Sequence, residues 1–130
     1  MDFKEYLKIY NAQKKIDKLA RKYKNRKIVI YGAGQFFCEI MDNYDLSKLN
    51  IVAICDKKFI NHGENEEFLG YKVCNIDEIK DIKPDYILVA TKYYMTIMED
   101  IYNKINFDKK IKIKALLKKP LITLLKEIWG

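Results

Sequence analysis

Two glycines set one residue apart follow a short apolar run. Ile28, Val29, Ile30 and Tyr31 lead into Gly32, Ala33 and Gly34, and a segment able to form a helix begins at Gln35. A buried strand, a tight glycine turn and a helix N-terminus, in that order, make a cradle for phosphate. The first amides of a helix have no carbonyl partner within it, and the helix dipole adds partial positive charge there. Gly32 permits the sharp turn, and Gly34 lets a ligand approach the backbone with no Cβ in the way. In the spacing G-x-G-x-x-G the third glycine falls at position 37, where this chain carries Phe37. Helix and strand must therefore pack around a large ring instead of closing tightly. The chemistry that this stretch predicts is binding of a phosphate-bearing, nucleotide-like ligand.

Asp56 ends the apolar run 51–55, at the distance from Gly32 where an acid accepts hydrogen bonds from a ribose diol. Its alternative role is that of a turn former. An acid here favours NAD over NADP, while Lys57 and Lys58 keep NADP open. Thr91 and Lys92 end the run 86–90 and can approach phosphate or sugar, or Thr91 can cap the helix that follows. His62 is the single histidine. It stands among acids and asparagines with no paired carboxylate or cysteine in view, and reads as a surface residue. Cys38 falls in the first turns of the glycine-loop helix, where a thiol pKa can drop, but its apolar neighbours favour a buried structural thiol. Tyr10 and Lys14 have the Tyr-x-x-x-Lys spacing of short-chain dehydrogenases. They precede the glycine turn, whereas that chemistry needs them far downstream, so they read as helix surface. No other acid–base pair, nucleophile elbow or metal cluster stands out, and a catalytic centre is not visible.

Length and charge set the frame for these residues. A chain of 130 residues is the size of one domain with a real core. Cys38, Cys55 and Cys74 are scattered, odd in number and without a C-x-x-C pair, which fits reduced thiols rather than a disulfide frame or zinc site. The charged start and short apolar runs predict a soluble cytoplasmic protein. The formal net charge is +7. Residues 1–27 carry ten Lys and Arg against three acids, residues 28–107 eight against thirteen, and residues 108–130 seven against two. Basic charge lies at the two ends, and the segment with the glycine turn is acidic. That argues against a nucleic-acid-reading domain.

The elements that must position these residues follow from periodicity. Residues 2–24 read as one amphipathic helix, with Leu7, Ile16, Leu19, Ala20 and Tyr23 on its apolar face. Strands are expected at 27–31, 51–55, 70–74, 86–90 and 112–116, and helices at 35–44, after Asn75 or Asp77, and at 93–105. The last of these helices presents Tyr94, Ile97, Met98, Ile101, Tyr102 and Ile105. Residues 57–70 read as irregular turn material, and Pro120 opens a final helix with a broad apolar face behind two lysines. Alternation of apolar strands with helices predicts an α/β fold: one doubly wound, mostly parallel sheet of order 3-2-1-4-5, Rossmann-like, at residues 26–116. Amphipathic helices at 1–25 and 117–130 flank it. The ligand crevice then lies where the strand order reverses, between the first and fourth strands, and gathers Gly32, Ala33, Gly34, Gln35, Asp56, Thr91 and Lys92.

The succession of residues 30–34, 51–56, 68–73 and 84–90 resembles the Rossmann-like nucleotide- or sugar-nucleotide-binding domain of bacterial polysaccharide biosynthesis proteins. That domain stands at the front of nucleotide-sugar dehydratases and sugar acetyltransferases and is appended to certain methyltransferases and glycosyltransferases. The resemblance covers roughly residues 26–115. It implies binding of a nucleotide or nucleotide sugar, within a larger biosynthetic enzyme or as a stand-alone subunit. In the acetyltransferase relatives paired aspartates follow the second strand; this chain has Asp56, Lys57 and Lys58, matching only the first.

The expectation is thus a nucleotide-binding module for NAD(H) or a nucleotide sugar, without a metal and without full catalytic apparatus of its own. The alternative is a small NAD-dependent oxidoreductase or epimerase-like enzyme completed by homodimerisation, for which Lys92, Tyr93 and Tyr94 are the candidate catalytic residues. An S-adenosylmethionine site is a third reading, since methyltransferases share the glycine turn and the acid after the second strand. The C-terminal helix could complete the core, dock a partner or lie on an anionic membrane.

Overall fold

In the computed structural model, residues 3–105 and 110–118 are described. The chain begins with two helices, α1 (Phe3–Tyr10) and α2 (Ala12–Lys22), where the periodicity predicts one. Asn11 between them is left-handed, with φ 54° and ψ 54°. Asparagine tolerates that conformation because its short polar side chain can bond locally, so the amphipathic pattern continues through a break in the helix axis.

Strand β1 (Ile28–Tyr31), helix α3 (Gln35–Asn43) and strand β2 (Ile51–Cys55) follow. After a 3₁₀ turn at Lys57–Phe59 come β3 (Glu67–Phe68) and β4 (Tyr71–Cys74). A second 3₁₀ turn, Ile76–Glu78, runs into α4 (Ile79–Ile82), then β5 (Tyr86–Val89), α5 (Tyr94–Ile105) and β6 (Lys112–Ala115). The helix expected from Pro120 lies outside the described residues.

Among the described residues the sheet has six strands in the order β3-β4-β2-β1-β5-β6. The expected five-strand order 3-2-1-4-5 is corrected by an added edge strand, β3, beside which the five expected strands keep their relative order. Glu67 and Phe68 lie in the segment taken for irregular turn material. They pair antiparallel with Lys72 and Tyr71, so the sheet is mixed. Leu69 (φ 52°) and Gly70 (φ 85°) form the turn between these strands, and positive φ at both central residues suits a two-residue hairpin. All other pairings are parallel. From β1 the chain winds outward through β2 and β4 on one side, then returns to place β5 and β6 on the other.

Side chains alternate across the strands, and each face of the sheet builds its own core. Ile28, Ile30, Ile54 and Leu88 join Leu7, Ile16, Phe37 and Ile40, the contribution of α1, α2 and α3. Val29, Ala53, Ile87 and Val89 join Ile79, Ile101 and Ile105 from α4 and α5. The result is a three-layer α/β structure with helices on both faces. Tyr102 departs from expectation: it is 60% exposed rather than part of the α5 core face. The N-terminal helices are seated by a polar clasp as well. The Gln13 side chain accepts from the Asp45 amide (2.8 Å) and donates to the Asp45 carbonyl (3.1 Å), tying α2 to the α3–β2 connection.

Candidate functional site

The carboxyl ends of β1, β2 and β5 open onto a crevice of about 480 Å³. Gly32, Gly34 and Gln35 form one wall, Asp56 stands at the end of β2, and Thr91 and Lys92 follow β5. Phe36, Ala90 and Tyr93 complete the lining. The residues singled out in the sequence are thus neighbours in space, with one exception. Ala33 is buried behind the loop and does not line the crevice.

The two glycines do different work. Gly32 has φ +122°, and a Cβ added there would lie 2.8 Å from the Ala90 carbonyl oxygen and 3.1 Å from Thr91 Cγ2. Its amide donates to the Cys55 carbonyl (2.9 Å), and the Ala90 amide donates to the Tyr31 carbonyl (2.8 Å). The glycine turn is therefore wedged between neighbouring strand ends, where only glycine fits. Gly34 has an ordinary extended backbone, φ −99° and ψ −166°. A Cβ there would meet nothing within 4 Å. The fold does not require glycine at 34; the space beside it belongs to the crevice. Gly34 is also the N-cap of α3 and brings no side chain to cap the helix amides.

Asp56 has a role that its sequence position did not reveal. Its Oδ2 accepts from the Ala33 amide (2.7 Å) and its Oδ1 from the Lys58 amide (3.1 Å). Lys58 Nζ in turn donates to the Ala33 carbonyl and lies 4.6 Å from the centre of the Phe68 ring. Both backbone groups of Ala33 are gripped from the β2 end, so the glycine loop is held in shape before any ligand arrives. A carboxylate has about four lone-pair positions, so Asp56 keeps capacity for a ligand hydroxyl. Lys58 sits on the loop carbonyl and the Phe68 ring instead of reaching into the crevice.

Thr91 does not cap α5, which starts at Tyr94. Its Oγ1 is fully buried and has no hydrogen-bond partner among the described residues. A buried hydroxyl without a partner costs on the order of 1–3 kcal/mol. Thr91 lines the crevice, but this hydroxyl is closed to solvent and would reach a ligand oxygen only after the side chain turns. Of the proposed catalytic residues, Lys92 and Tyr93 stand at the crevice, with Lys92 Nζ 5.8 Å from the Tyr93 ring centre. Tyr94 packs into the core with Ile101 and Ile105 and is removed from consideration. Tyr31, at the end of β1, is pushed up to about 12 by burial and by neighbouring Cys55, Asp56 and Asp100. It stays a neutral phenol at physiological pH.

His62 is not the solitary surface residue that the sequence suggests. Its Nδ1 faces the Gly63 carbonyl at 2.8 Å, and its Nε2 pairs with Glu78 Oε1. Glu78 also closes a capping box with Asn75. The Gly63 carbonyl and Glu78 raise the imidazole pKa above the usual 6.5. Burial works to raise the Glu78 carboxyl, but the Asn75 amide and His62 outweigh it and hold it below the usual 4.5. The raised histidine contributes stability below its unfolded pKa, and this is lost as pH rises through the folded value. The depressed glutamate contributes above its unfolded pKa, and this is lost as pH falls through the folded value. The pair therefore acts most fully between the usual values of 4.5 and 6.5. With a single histidine in the chain, one Hε1 resonance reports the pair. Its NMR titration midpoint is expected above 6.5 and should move down in Glu78→Gln. An unmoved midpoint would show that the pair does not form.

The thiols lie away from this chemistry. Cys55 and Cys74 are buried partners on adjacent strands, and their mutual hydrogen bond and burial drive the Cys55 thiol pKa up, leaving it inert. Cys38 is half-buried rather than buried as expected, and all three cysteines are free. Among the described residues no group of His, Cys, Asp and Glu is arranged to hold a metal ion. No helix among them is long and apolar enough to cross a membrane.

Residues 24–113 match the family model described as C2185-like, N-terminal. No curated protein and no solved structure matches the chain.

Proposed function

Given that this chain belongs to the C2185-like, N-terminal family, we propose that it is a Rossmann-like nucleotide-binding module whose ligand lies in the crevice between β1 and β5. The observation that carries this reading is the meeting of three features at one point. The open side of Gly34, the uncapped amide end of α3 and the side chain of Thr91, whose buried hydroxyl has no partner among the described residues, all belong to the lining of the same cavity. Helix amides and a hydroxyl are the donors a diphosphate needs, and the place where strand order reverses is where open α/β sheets bind ligands. Asp56 has room to accept from a ribose hydroxyl while it holds the loop. NAD(H) and nucleotide sugars have the matching parts. The resemblance to polysaccharide-biosynthesis domains supports a nucleotide sugar, and the acid at the end of β2 supports NAD(H).

The test is thermal unfolding of the chain with NAD, NADP, UDP-sugars, S-adenosylmethionine and coenzyme A. A ligand at a hundred times its dissociation constant stabilises the fold by about 2.7 kcal/mol, a readily measured shift. The decisive variant is Gly34→Val. Its Cβ enters empty space and the extended backbone suits a branched residue, so the fold should survive the poorer N-cap, yet the side chain stands where the phosphate would lie and the ligand-induced shift should disappear. Asp56→Ala is the weaker test, because it also releases the Ala33 amide. If no ligand of the panel shifts the midpoint, or Gly34→Val leaves a shift unchanged, the crevice is not the binding site.

The enzymatic alternative rests on Lys92 and Tyr93 standing at the crevice. With a ligand identified, Lys92→Ala should abolish turnover and spare affinity under that reading. Unchanged turnover removes Lys92 as a catalytic residue.

A further inference from the structure

A second concentration of binding groups lies away from the crevice and shares no lining residue with it. On α2, Lys15, Lys18 and Lys22 recur at spacings of three and four and so form one stripe. Beside that stripe β6 brings Lys114, and Lys118 follows the strand. Lys15 Nζ donates to the Lys118 carbonyl (3.3 Å), joining parts of the chain 103 positions apart. Together they line a groove of about 280 Å³ floored by Leu19, Tyr23 and Leu116.

We propose that this groove binds a compact polyphosphate anion. Ammonium groups gathered on one helical stripe repel one another, and an anion between them reverses the sign of that interaction. Lys18, Lys22, Lys114 and Lys118 make no ion pair among the described residues. Burial lowers the pKa of Lys15, so its surroundings are already partly dry, which strengthens attraction to an anion. The shape selects the class of ligand. A concave groove does not fit a flat bilayer, and its volume is below the roughly 300–1,000 Å³ of pockets that enclose whole drug-sized molecules. Tyr23, the only ring in the floor among the described residues, is buried and stacked on Tyr86 with centroids 4.0 Å apart. It offers no face to a nucleobase, so single-stranded nucleic acid lacks its stacking platform. Lysines acting as point charges on a chain of phosphates remain.

The experiment is calorimetric titration of the full chain with inorganic tripolyphosphate at low salt. Saturable binding is expected, weakened by about tenfold or more in Lys18→Gln/Lys114→Gln. Both side chains are exposed, so the fold should tolerate the change, and circular dichroism checks it. Lys18→Arg/Lys114→Arg should keep most of the affinity. Lys80→Gln/Lys104→Gln removes the same charge elsewhere on the surface and should leave binding unchanged, whereas Gly34→Val should remove only tripolyphosphate held in the crevice and leave the lysine-dependent binding in place. Absence of binding overturns the proposal. Equal weakening by the two glutamine pairs shows a diffuse field and overturns it too. Loss of all binding in Gly34→Val moves the anion to the crevice and overturns the proposal, and tighter binding of a short single-stranded RNA through Lys18 and Lys114 assigns the groove to nucleic acid instead.

Discussion

Gly32→Ala is expected to lower the stability of the fold by about 2–5 kcal/mol, while Gly34→Ala, two positions on, should change it by less than about 1 kcal/mol. The two glycines belong to one motif, yet only one is demanded by the fold. At Gly32 an alanine meets two penalties together. The backbone sits at φ +122°, a region that L-residues rarely adopt, and the new Cβ would stand 2.8 Å from the Ala90 carbonyl oxygen. That oxygen belongs to the backbone just beyond β5 and cannot swing aside like a side chain. The Ala90 amide is itself held by the Tyr31 carbonyl. Relief therefore requires β1 and β5 to part at the ends that frame the crevice. At Gly34 the backbone is extended and the space is open. Alanine there restricts the unfolded chain but is a poorer N-cap than glycine, two small effects of opposite sign. Urea denaturation of the two variants measures both effects, as midpoints at unchanged slope. Equal midpoints for Gly32→Ala and the wild type would mean that the loop relaxes freely and that the close approach to Ala90 is not a constraint.

What the sequence made legible was what short-range chemistry dictates. The strand, glycine turn and helix at residues 28–43 can be read locally because each signal sits within a few positions of the element it shapes. The apolar run 51–55 is likewise legible as a central strand, since β2 is covered on both faces. The features that escaped depend on partners distant in the chain. Glu78 is sixteen positions from His62, and Asp56 is twenty-three from Ala33. No periodicity announces either pair. Asp56 therefore reads as a ribose acceptor or a turn former; its bond to the Lys58 amide fits the second reading, and its bond to the glycine loop was visible in neither. The break at Asn11 escaped for the opposite reason: the apolar pattern continues past a residue that turns the axis. The two-residue strand β3 was too short to show alternation, and only the Leu69–Gly70 turn could have marked it. Convergence of Gly32, Gly34, Asp56 and Thr91 was foreseeable because parallel order places successive strand ends at one edge. The lysine groove was not. Basic charge at both chain ends is visible in the sequence, but its meeting across α2 and β6 is a property of the folded chain alone.

Phe37→Ala is expected to cost about 3–5 kcal/mol, enough to leave a domain of ordinary stability close to unfolding. Position 37 is where the dinucleotide fingerprint has its third glycine, which lets helix and strand approach closely. Here the ring of Phe37 is completely buried and belongs to the core that joins α1, α2 and α3 to the sheet. The helix is thus seated by a large side chain instead of by close backbone contact. Restoring the fingerprint would remove that seat: Phe37→Gly should be worse than Phe37→Ala by about 1 kcal/mol, the added cost of glycine within a helix. Phe37→Leu, which keeps most of the volume, should lose much less than either. Denaturant midpoints for the three variants give the order directly. A cost below about 1 kcal/mol for Phe37→Ala would show that the neighbouring side chains close over the cavity and that α3 is not held by this ring. The ligand reading adds a second consequence. The amides that would meet a phosphate lie at the start of α3, and Phe37 and Ile40 fix the direction in which that end points. At a temperature where Phe37→Leu remains folded, its affinity for the ligand of the crevice should fall further than its stability loss alone explains. Unchanged affinity would mean that the loop clamp of Asp56 and Lys58, rather than the seating of the helix, sets the geometry of the cradle.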